Sequence, residues 1–436
     1  MLLNTLGYLH DPYGSTLRTQ ARFGDTYTLA TAFGKMVVTG DPEGVREILG
    51  ADPDTFGALG VELLGPIIGE SSLILLGGPR HRAARKLLAP SFHGARMRAY
   101  GTAIRTITRA ETGRWPVDRA FAVQDSTQAI SLRVIIETVF GVTTPERAAR
   151  FHTALVGLIG ALKPSFMFLT ALRTPLWRPW VRFQRVVSAV EQLVYAEIAE
   201  RRARSQVGED ILSLLIASRY EDGSAPGERE ILEQLMTLLG AGHETTAIAL
   251  AWACHLVATH AEVEERLLEE LRALGPDPDP EAVARLPYLE AVCQETLRLK
   301  PLTPTIARML VRPLRLRGHD LPAGVTVGAS VLAVHRRADL YPEPETFRPE
   351  RFLARSFAPY EYLPFGGGAR RCLGAAFALY EMKLVLATIL ADHALRSAEP
   401  GPVQVKARNT VVGPRGGIRM TAAARRIPPA STRRTA

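Results

Sequence analysis

The stretch Phe365-Gly366-Gly367-Gly368-Ala369-Arg370-Arg371-Cys372-Leu373-Gly374, FGGGARRCLG, decides how the chain is read. It sets one ionisable sulfur among glycines and two arginines, directly ahead of the helical pattern LGAAFALYEMKLVLATIL. Free backbone N–H groups and the positive end of the dipole stabilise an anion at a helix start. Arg370 and Arg371 add positive charge, and all three influences lower a thiol pKa. The glycines let the backbone come close to something flat or bulky without Cβ clashes. The local physics asks for a thiolate with a large partner above it. The thiolate is either a nucleophile or a metal ligand. No cysteine-enzyme signature is present. With no second cysteine nearby, a metal would arrive with its other ligands already supplied, as haem iron does.

The rest of the composition narrows the class. The chain has 436 residues, of which 47% are hydrophobic and 22% charged, the usual range of a core-forming globular protein. At about 150 residues per domain, length alone allows two or three domains or one large one. Cys254, Cys293 and Cys372 are widely spaced and form no CxxC, which argues for a reducing, cytoplasmic setting and against a disulfide framework or thiolate zinc site. Cys254 and Cys293 lie in apolar helical patterns and read as small buried hydrophobes. The apolar run TTAIALAWACHL is too short to span a bilayer, so no transmembrane segment is expected. The opening MLLNTLGYLHDPYG lacks a basic region followed by a clean apolar stretch, which reads against a secretory signal. Net charge is +9, but the arginines are scattered and no nucleic-acid motif accompanies them. An acidic protein partner or an anionic small molecule fits better than nucleic acid.

Helical periodicity dominates, with helices expected over Arg96–Glu111, Glu191–Arg204, Glu228–Thr259, His260–Leu274, Pro287–Leu299 and Leu373–Asp392. Strands are expected in DTYTLATAFGKMVVTG, over Arg312–Leu316 and over Val325–Val334, with GHDLPAG as a turn and NTVVGPRGGIRM as a hairpin. The fold class is mainly α with a minor antiparallel β part. Residues 422–436 are expected to form a basic, disordered tail after a single domain over 1–421.

The spacing Phe365-x-x-Gly368-x-Arg370-x-Cys372-x-Gly374 closely resembles the haem-ligand loop of the cytochrome P450 superfamily. Other matches follow in the family's order. Ala241-Gly242-His243-Glu244-Thr245-Thr246 lies inside a long helical pattern, where its glycine and threonines weaken the turn. It resembles the acid–alcohol pair of the family's distal helix. By that resemblance Glu244 would relay protons from solvent, and Thr245 would hydrogen-bond the dioxygen being activated. Glu295-x-x-Arg298, with Arg351 in FRPERF, resembles the family's structural triad, which holds the loop leading to the cysteine. His81-x-x-x-Arg85, together with Arg308 and Arg370, would hold the propionates of haem b. Phe365, Gly366, Gly368 and Gly374 would complete the cofactor loop, with Cys372 as iron ligand.

The resemblance implies the cytochrome P450 fold as one large domain. It also implies a monooxygenase that inserts one oxygen atom of O2 into a C–H bond. Nothing in the chain resembles a flavin or ferredoxin domain, so electrons would come from separate proteins. A basic surface of Arg371, Arg80, Arg82 and Lys86 would attract an acidic ferredoxin. The substrate segments of the family correspond to DTFGALGVELLGPIIGE, FMFLTALRTPLWRPW, EQLMTLLGAG and PLTPTIA, all mostly apolar. A lipophilic substrate is expected: a fatty acid, terpenoid, steroid or similar. From Arg147 through Val190 there is no Asp or Glu, but there are Arg147, Arg150, Lys163, Arg173, Arg178, Arg182 and Arg185, a composition that could attract a carboxylate. Two other readings remain. A peroxide-driven fatty-acid hydroxylase would carry Arg-Pro where Glu244-Thr245 stands. A non-catalytic haem-thiolate sensor or carrier has no need of a proton relay.

Overall fold

Asp-Pro pairs start three of the helices. Asp11, Asp41 and Asp279 each precede a proline at the first helical position and accept a hydrogen bond from a first-turn N–H, of Gly14, Gly44 and Glu281 respectively. Proline has no N–H to leave unsatisfied there, and the aspartate satisfies one of the N–H groups that remain. The computed structural model describes residues 7–31, 34–92, 95–162, 166, 170–204, 208–408 and 411–425. These residues fall into two compact units, Met1–Phe56 with Met97–Ile130 and Glu244–Ala436, and Gly57–Arg96 with Ser131–His243.

The first unit carries the sheets. Its strands are β1 (Thr26–Thr31), β2 (Gly34–Thr39), β3 (Phe56–Gly57, whose glycine opens the other unit), β4 (Phe121–Ala122), β5 (Thr305–Leu310), β6 (Leu314–Leu316), β7 (His319–Leu321), β8 (Thr326–Ser330), β9 (His393–Ser397), β10 (Val405–Arg408), β11 (Val411–Pro414) and β12 (Arg419–Ala424). Five of them form a sheet of order β1-β2-β8-β5-β3. β1 and β2 pair antiparallel with Thr26 opposite Thr39, β5 and β8 pair antiparallel, and β2 and β8 are parallel. The helix Pro42–Gly50 packs Val45 on Ala329, Val331, Val334 and Leu363. The last of these residues leads into the cysteine stretch. The helix Glu228–Ala258 is buried without interruption from Ala247 to Cys254. Cys254 and Cys293 are wholly buried, and burial pushes both thiols up to about 12.

The second unit is helical, with helices Val61–Ile68, Gly78–Leu88, Pro145–Ala161, Arg178–Arg204 and Ile211–Ala217. Phe166 packs against Trp177, Trp180 and Phe183, with each ring centroid at 5.3 Å. Arg201 donates to the Phe140 carbonyl at 2.6 Å and to Ser213 Oγ at 2.8 Å.

The chain is mainly α with small sheets, as expected; β2–β8 is parallel, and β1–β2, β5–β8, β6–β7, β10–β11, β4–β12 and β9–β12 are antiparallel. Several local expectations are corrected. Val325–Val334 is a strand only to Ser330, which then caps the helix Val331–His335 by accepting from Ala333 N–H. GHDLPAG contains the strand β7, which pairs with β6. NTVVGPRGGIRM is no hairpin: β11 pairs with β10, whereas β12 lies between β4 and β9. Glycines with φ of 81° and 83° at Gly416 and Gly417 redirect the chain between the two sheets. The helix expected over Glu191–Arg204 begins at Arg178. β12 runs to Ala424, past the expected start of the tail, and 426–436 lie outside the described residues.

Candidate functional site

The cysteine loop is a closed, pinned structure. Phe365 accepts a hydrogen bond from the Cys372 N–H at 2.8 Å, which closes the intervening residues into a ring. Gly368–Arg370 make a short 3-10 turn inside it. Gly366 and Gly368 have φ of 67° and 63°, a left-handed conformation that glycine adopts without strain. A Cβ on Gly368 would lie 2.4 Å from the Leu49 carbonyl oxygen, and one on Gly367 would lie 2.6 Å from Leu49 Cδ1. These two glycines therefore let the loop seat on the end of the helix Pro42–Gly50. Gly374 differs, since a Cβ there meets nothing within 4 Å. Cys372 is exposed and in no disulfide. It lies two residues ahead of the helix N-cap, Gly374.

The loop is anchored by a residue that sequence reading missed. His335 Nε2 accepts the Leu363 N–H at 2.9 Å, and its Nδ1 lies 3.2 Å from the Arg298 carbonyl. An acceptor at Nε2 and a carbonyl at Nδ1 require the neutral ring with its proton on Nδ1. Burial, then Arg298 and Arg336, hold its pKa well below the ordinary histidine value. Tyr362 stacks on the ring at 5.6 Å. A lone histidine in VLAVHRR carries no signal that would have found it.

His335 joins the loop to a buried charge cluster. Arg298 and Glu295 have fully buried side chains and pair through two bonds, at 2.6 and 2.8 Å. Arg351 Nε reaches the same carboxylate at 3.1 Å, and the Arg348 N–H reaches it at 2.9 Å. The remaining guanidinium N–H groups of Arg298 go to the carbonyls of His335, Pro344 and Thr346. A buried ion pair is tolerable when hydrogen bonds satisfy the rest of both groups, as they do here. The structure thus brings Glu295, Arg298 and Arg351 together.

Arg308 and Arg370 form a second, cationic group. Burial first, then the neighbouring Arg370 charge, lowers Arg308 to about 10. Burial also lowers Arg370. Arg308 donates to its neighbour's carbonyl, that of Ala307, at 3.0 Å, and it pairs with no carboxylate among the described residues. Two guanidiniums brought close and partly desolvated repel one another unless an anion lies between or beside them. Among the described residues, no group of three or more His, Cys, Asp or Glu could hold a metal ion. A metal on Cys372 would have to carry its remaining ligands. The residues present therefore fit a planar metal complex bearing carboxylates, which is what haem is.

Glu244 and Thr245 are half-buried on the long helix, which runs unbroken through them. Gly240 and Ala241, one turn earlier, are exposed, between buried residues at Leu239 and His243. Glu244 Oε1 lies 3.4 Å from Arg408 Nη1 on β10. The Arg408 Nε is buried with no hydrogen-bond partner among the described residues. Thr127 adds a stitch by donating to the Ala247 carbonyl at 2.8 Å. Neither Arg408 nor Thr127 belongs to a motif, and neither was legible in advance.

His81 and Arg85 lie in the second unit, on one face of the helix Gly78–Leu88. His81 is buried and Arg85 half-buried, whereas Arg80, Arg82 and Lys86 are exposed on the other side. Lys86 pairs with Glu221. Arg371, in the first unit, is also exposed. Part of the basic run from Arg147 is consumed by structure. Arg147 pairs with Glu197 and Glu200, and Arg173 donates to the carbonyls of Phe166, Glu62 and Leu63. Arg150, Arg178, Arg182 and Arg185 are exposed; Lys163 lies outside the described residues. Phe166 and Trp180, counted above as lipophilic lining, are buried in their own aromatic cluster.

A family model described as cytochrome P450 matches residues 1–419. Cytochrome P450 135B1 of Mycobacterium tuberculosis is 36% identical over 421 residues, covering 96% of this chain and 88% of the relative. Cytochrome P450 137 of the same organism is 34% identical over 423 residues, covering 95% and 86%. The solved structure of retinoic acid-bound cyanobacterial CYP120A1 superposes with a TM-score of 0.84 at 26% identity, covering 97% of this chain and 96% of that one.

Proposed function

The chain belongs to the cytochrome P450 family, a family of haem b-dependent monooxygenases, and within it we propose an oxygenase of a lipophilic, carboxylate-bearing substrate, served by a separate acidic redox protein. The cofactor would supply O2 activation when bound, with O–O cleavage favoured by a cysteine thiolate ligand. In this reading Cys372 is that ligand. Arg308 and Arg370, with His81 and Arg85, hold the propionates as charge-assisted partners. Glu244 takes up a proton on its carboxylate and passes it along the helix toward Thr245, whose hydroxyl donates into the oxygen-binding space. Arg408 positions the Glu244 carboxylate. The Glu295–Arg298–Arg351 cluster and His335 hold the loop.

The observation that carries the reading is the desolvated Arg308 beside Arg370, two residues from an exposed, loop-pinned thiol. A ligand that is both anionic and metal-bearing answers both features. Spectroscopy of the reduced, CO-bound protein tests it. The thiolate-type Soret shift is expected in the wild type and absent in Cys372→Ala, and its absence from the wild type sinks the reading.

The substrate class rests on the exposed Arg150, Arg178, Arg182 and Arg185, which leave cationic surface for a carboxylate. Spectral titration with long-chain fatty acids, terpenoids and steroids is the test. Tight shifts with fatty acids support the carboxylate; shifts with steroids alone rule it out.

A further inference from the structure

We propose that the turn 170–177, with the helix ends beside it, is a docking face for an anionic lipid surface. The face lies wholly within the second unit, at one end of the helices Pro145–Ala161 and Arg178–Arg204. These two helices run antiparallel. Arg147 pairs with Glu197 and Glu200, and a Cβ on Gly157 would lie 3.6 Å from Val186 Cγ1. The end that meets the turn is therefore built from the last residues of the first helix and the first residues of the second.

Apolar side chains stand out of this end. Leu176 is 93% exposed, more than any other large apolar side chain among the described residues. Val156 and Ile159 are exposed near the end of the first helix. Val61 is exposed on the helix Val61–Ile68, which Arg173 ties to the turn through the carbonyls of Glu62 and Leu63. The turn itself is tied down. The Arg173 N–H donates to the Thr170 carbonyl at 2.9 Å, and the Trp177 N–H to that of Thr174 at 3.1 Å. The Trp177 ring sits edge-on to the buried Phe166. Leu176 is thus held in water by an ordered turn, and an apolar group so held gains by leaving water.

Charge is segregated along the same helix pair. From Arg147 through Val190 the chain has no Asp or Glu. Arg178, Arg182 and Arg185 follow Leu176 at helical spacing, are exposed, and pair with no carboxylate among the described residues. The carboxylates of Arg178–Arg204 lie further along: Glu197 and Glu200 take Arg147, and Glu191 takes Arg229. Glu62 is the carboxylate on the helix that Arg173 holds, one against three arginines. An apolar apex followed by cations matches a surface that is anionic above and apolar beneath, as a bilayer with acidic lipid is. Leu176 projects. A soft, flat surface accepts a projecting side chain anywhere, whereas a protein partner needs a pocket shaped for it.

The test is flotation of the full-length protein with phosphatidylcholine vesicles, with and without phosphatidylglycerol. Binding is expected to the vesicles that contain phosphatidylglycerol, and at least about tenfold weaker binding to those that lack it. Leu176→Ser weakens it at least about tenfold, as the loss of one buried leucine requires. Arg178→Gln, Arg182→Gln and Arg185→Gln each weaken it about fivefold. Circular dichroism checks that each variant is folded. The reduced-CO spectrum, recorded separately, reports on the haem reading alone, so the two can fail independently. The proposal is overturned by any of four results: no binding to either vesicle, equal binding to both, undiminished binding by Leu176→Ser, or a wild-type dimer in sedimentation equilibrium that Leu176→Ser dissociates, which would make a second copy the occupant.

Discussion

Gly368 and Gly374 carry the same letter in one motif, yet the structure gives them different tasks. Gly368 has a left-handed backbone and a carbonyl oxygen where its Cβ would go. Gly368→Ala is expected to cost about 1–3 kcal/mol from the conformation alone, with the clash added. Thermal melting of the haem-free protein shows it. Gly374 has φ −84° and open space around it, so Gly374→Ala meets neither clash nor left-handed strain and changes haem-free stability by under about 1 kcal/mol. If the cofactor lies on that open side, the same substitution weakens haem retention, and equal retention by wild type and variant removes Gly374 from the cofactor loop. The place of Cys372 just ahead of a helix start was legible, because an apolar helical pattern begins directly after it. His335 was not, because its partners Arg298 and Leu363 meet it only in the fold. Its folded pKa lies far below the ordinary 6.5. The unfolded chain therefore binds the proton first, so stability is full above pH 6.5 and is lost as pH falls below it. The slope is roughly 1.4 kcal/mol per pH unit for one such group. Denaturant melts from pH 7.5 to 5.5 should show a shallower slope in His335→Asn than in wild type. Equal slopes would exclude His335 as the source.

The helix Pro287–Leu299 shows what periodicity can and cannot reveal. Its limits match the expectation, because a proline start and an unbroken apolar face are written in the sequence. The Glu295–Arg298 spacing placed both on one face, and the structure buries that face completely. Which carbonyls finish the arginine's valences depended on the chain 335–346, which no local pattern aligns with the helix. Removing one partner leaves an uncompensated buried charge. Glu295→Gln should destabilise by about 3–5 kcal/mol, read as a drop in denaturation midpoint together with loss of haem. A loss under about 1 kcal/mol would mean the cluster is dispensable. The run Val325–Val334 misled for an equally physical reason. Its β-branched residues favour a strand, but Ser330 offers its hydroxyl to the Ala333 N–H and turns the second half into a helix. On the long helix, Thr245→Ala should leave the CO spectrum intact and raise electron consumption per product severalfold. Unchanged coupling would take Thr245 out of the proton path.

The whole chain reads as one domain by its motifs, yet its residues group into two compact units. No linker marks the divisions. Three of the boundaries, at 96/97, 130/131 and 243/244, fall inside the helices Ala95–Thr112, Val123–Thr138 and Glu228–Ala258, where the sequence has no reason to show a break. Fold class survives this blindness because it depends on summed periodicity, whereas the grouping depends on contacts between distant segments. Net charge acts at the same scale. With a charge of +9 and Arg371 exposed near the cysteine, the rate of reduction by an acidic ferredoxin should fall steeply with added salt. Arg371→Glu should lower the association rate and flatten the salt dependence, and a rate insensitive to salt would rule out electrostatic docking. The seat of Gly368 on Leu49 also ties together events far apart in synthesis. Leu49 leaves the ribosome long before Gly368 does, yet its helix rests on Ala329, Val331, Val334 and Leu363, so the mould for the cysteine loop sets only when most of the chain has been made. A nascent chain released short of Gly374 lacks the piece that fills it.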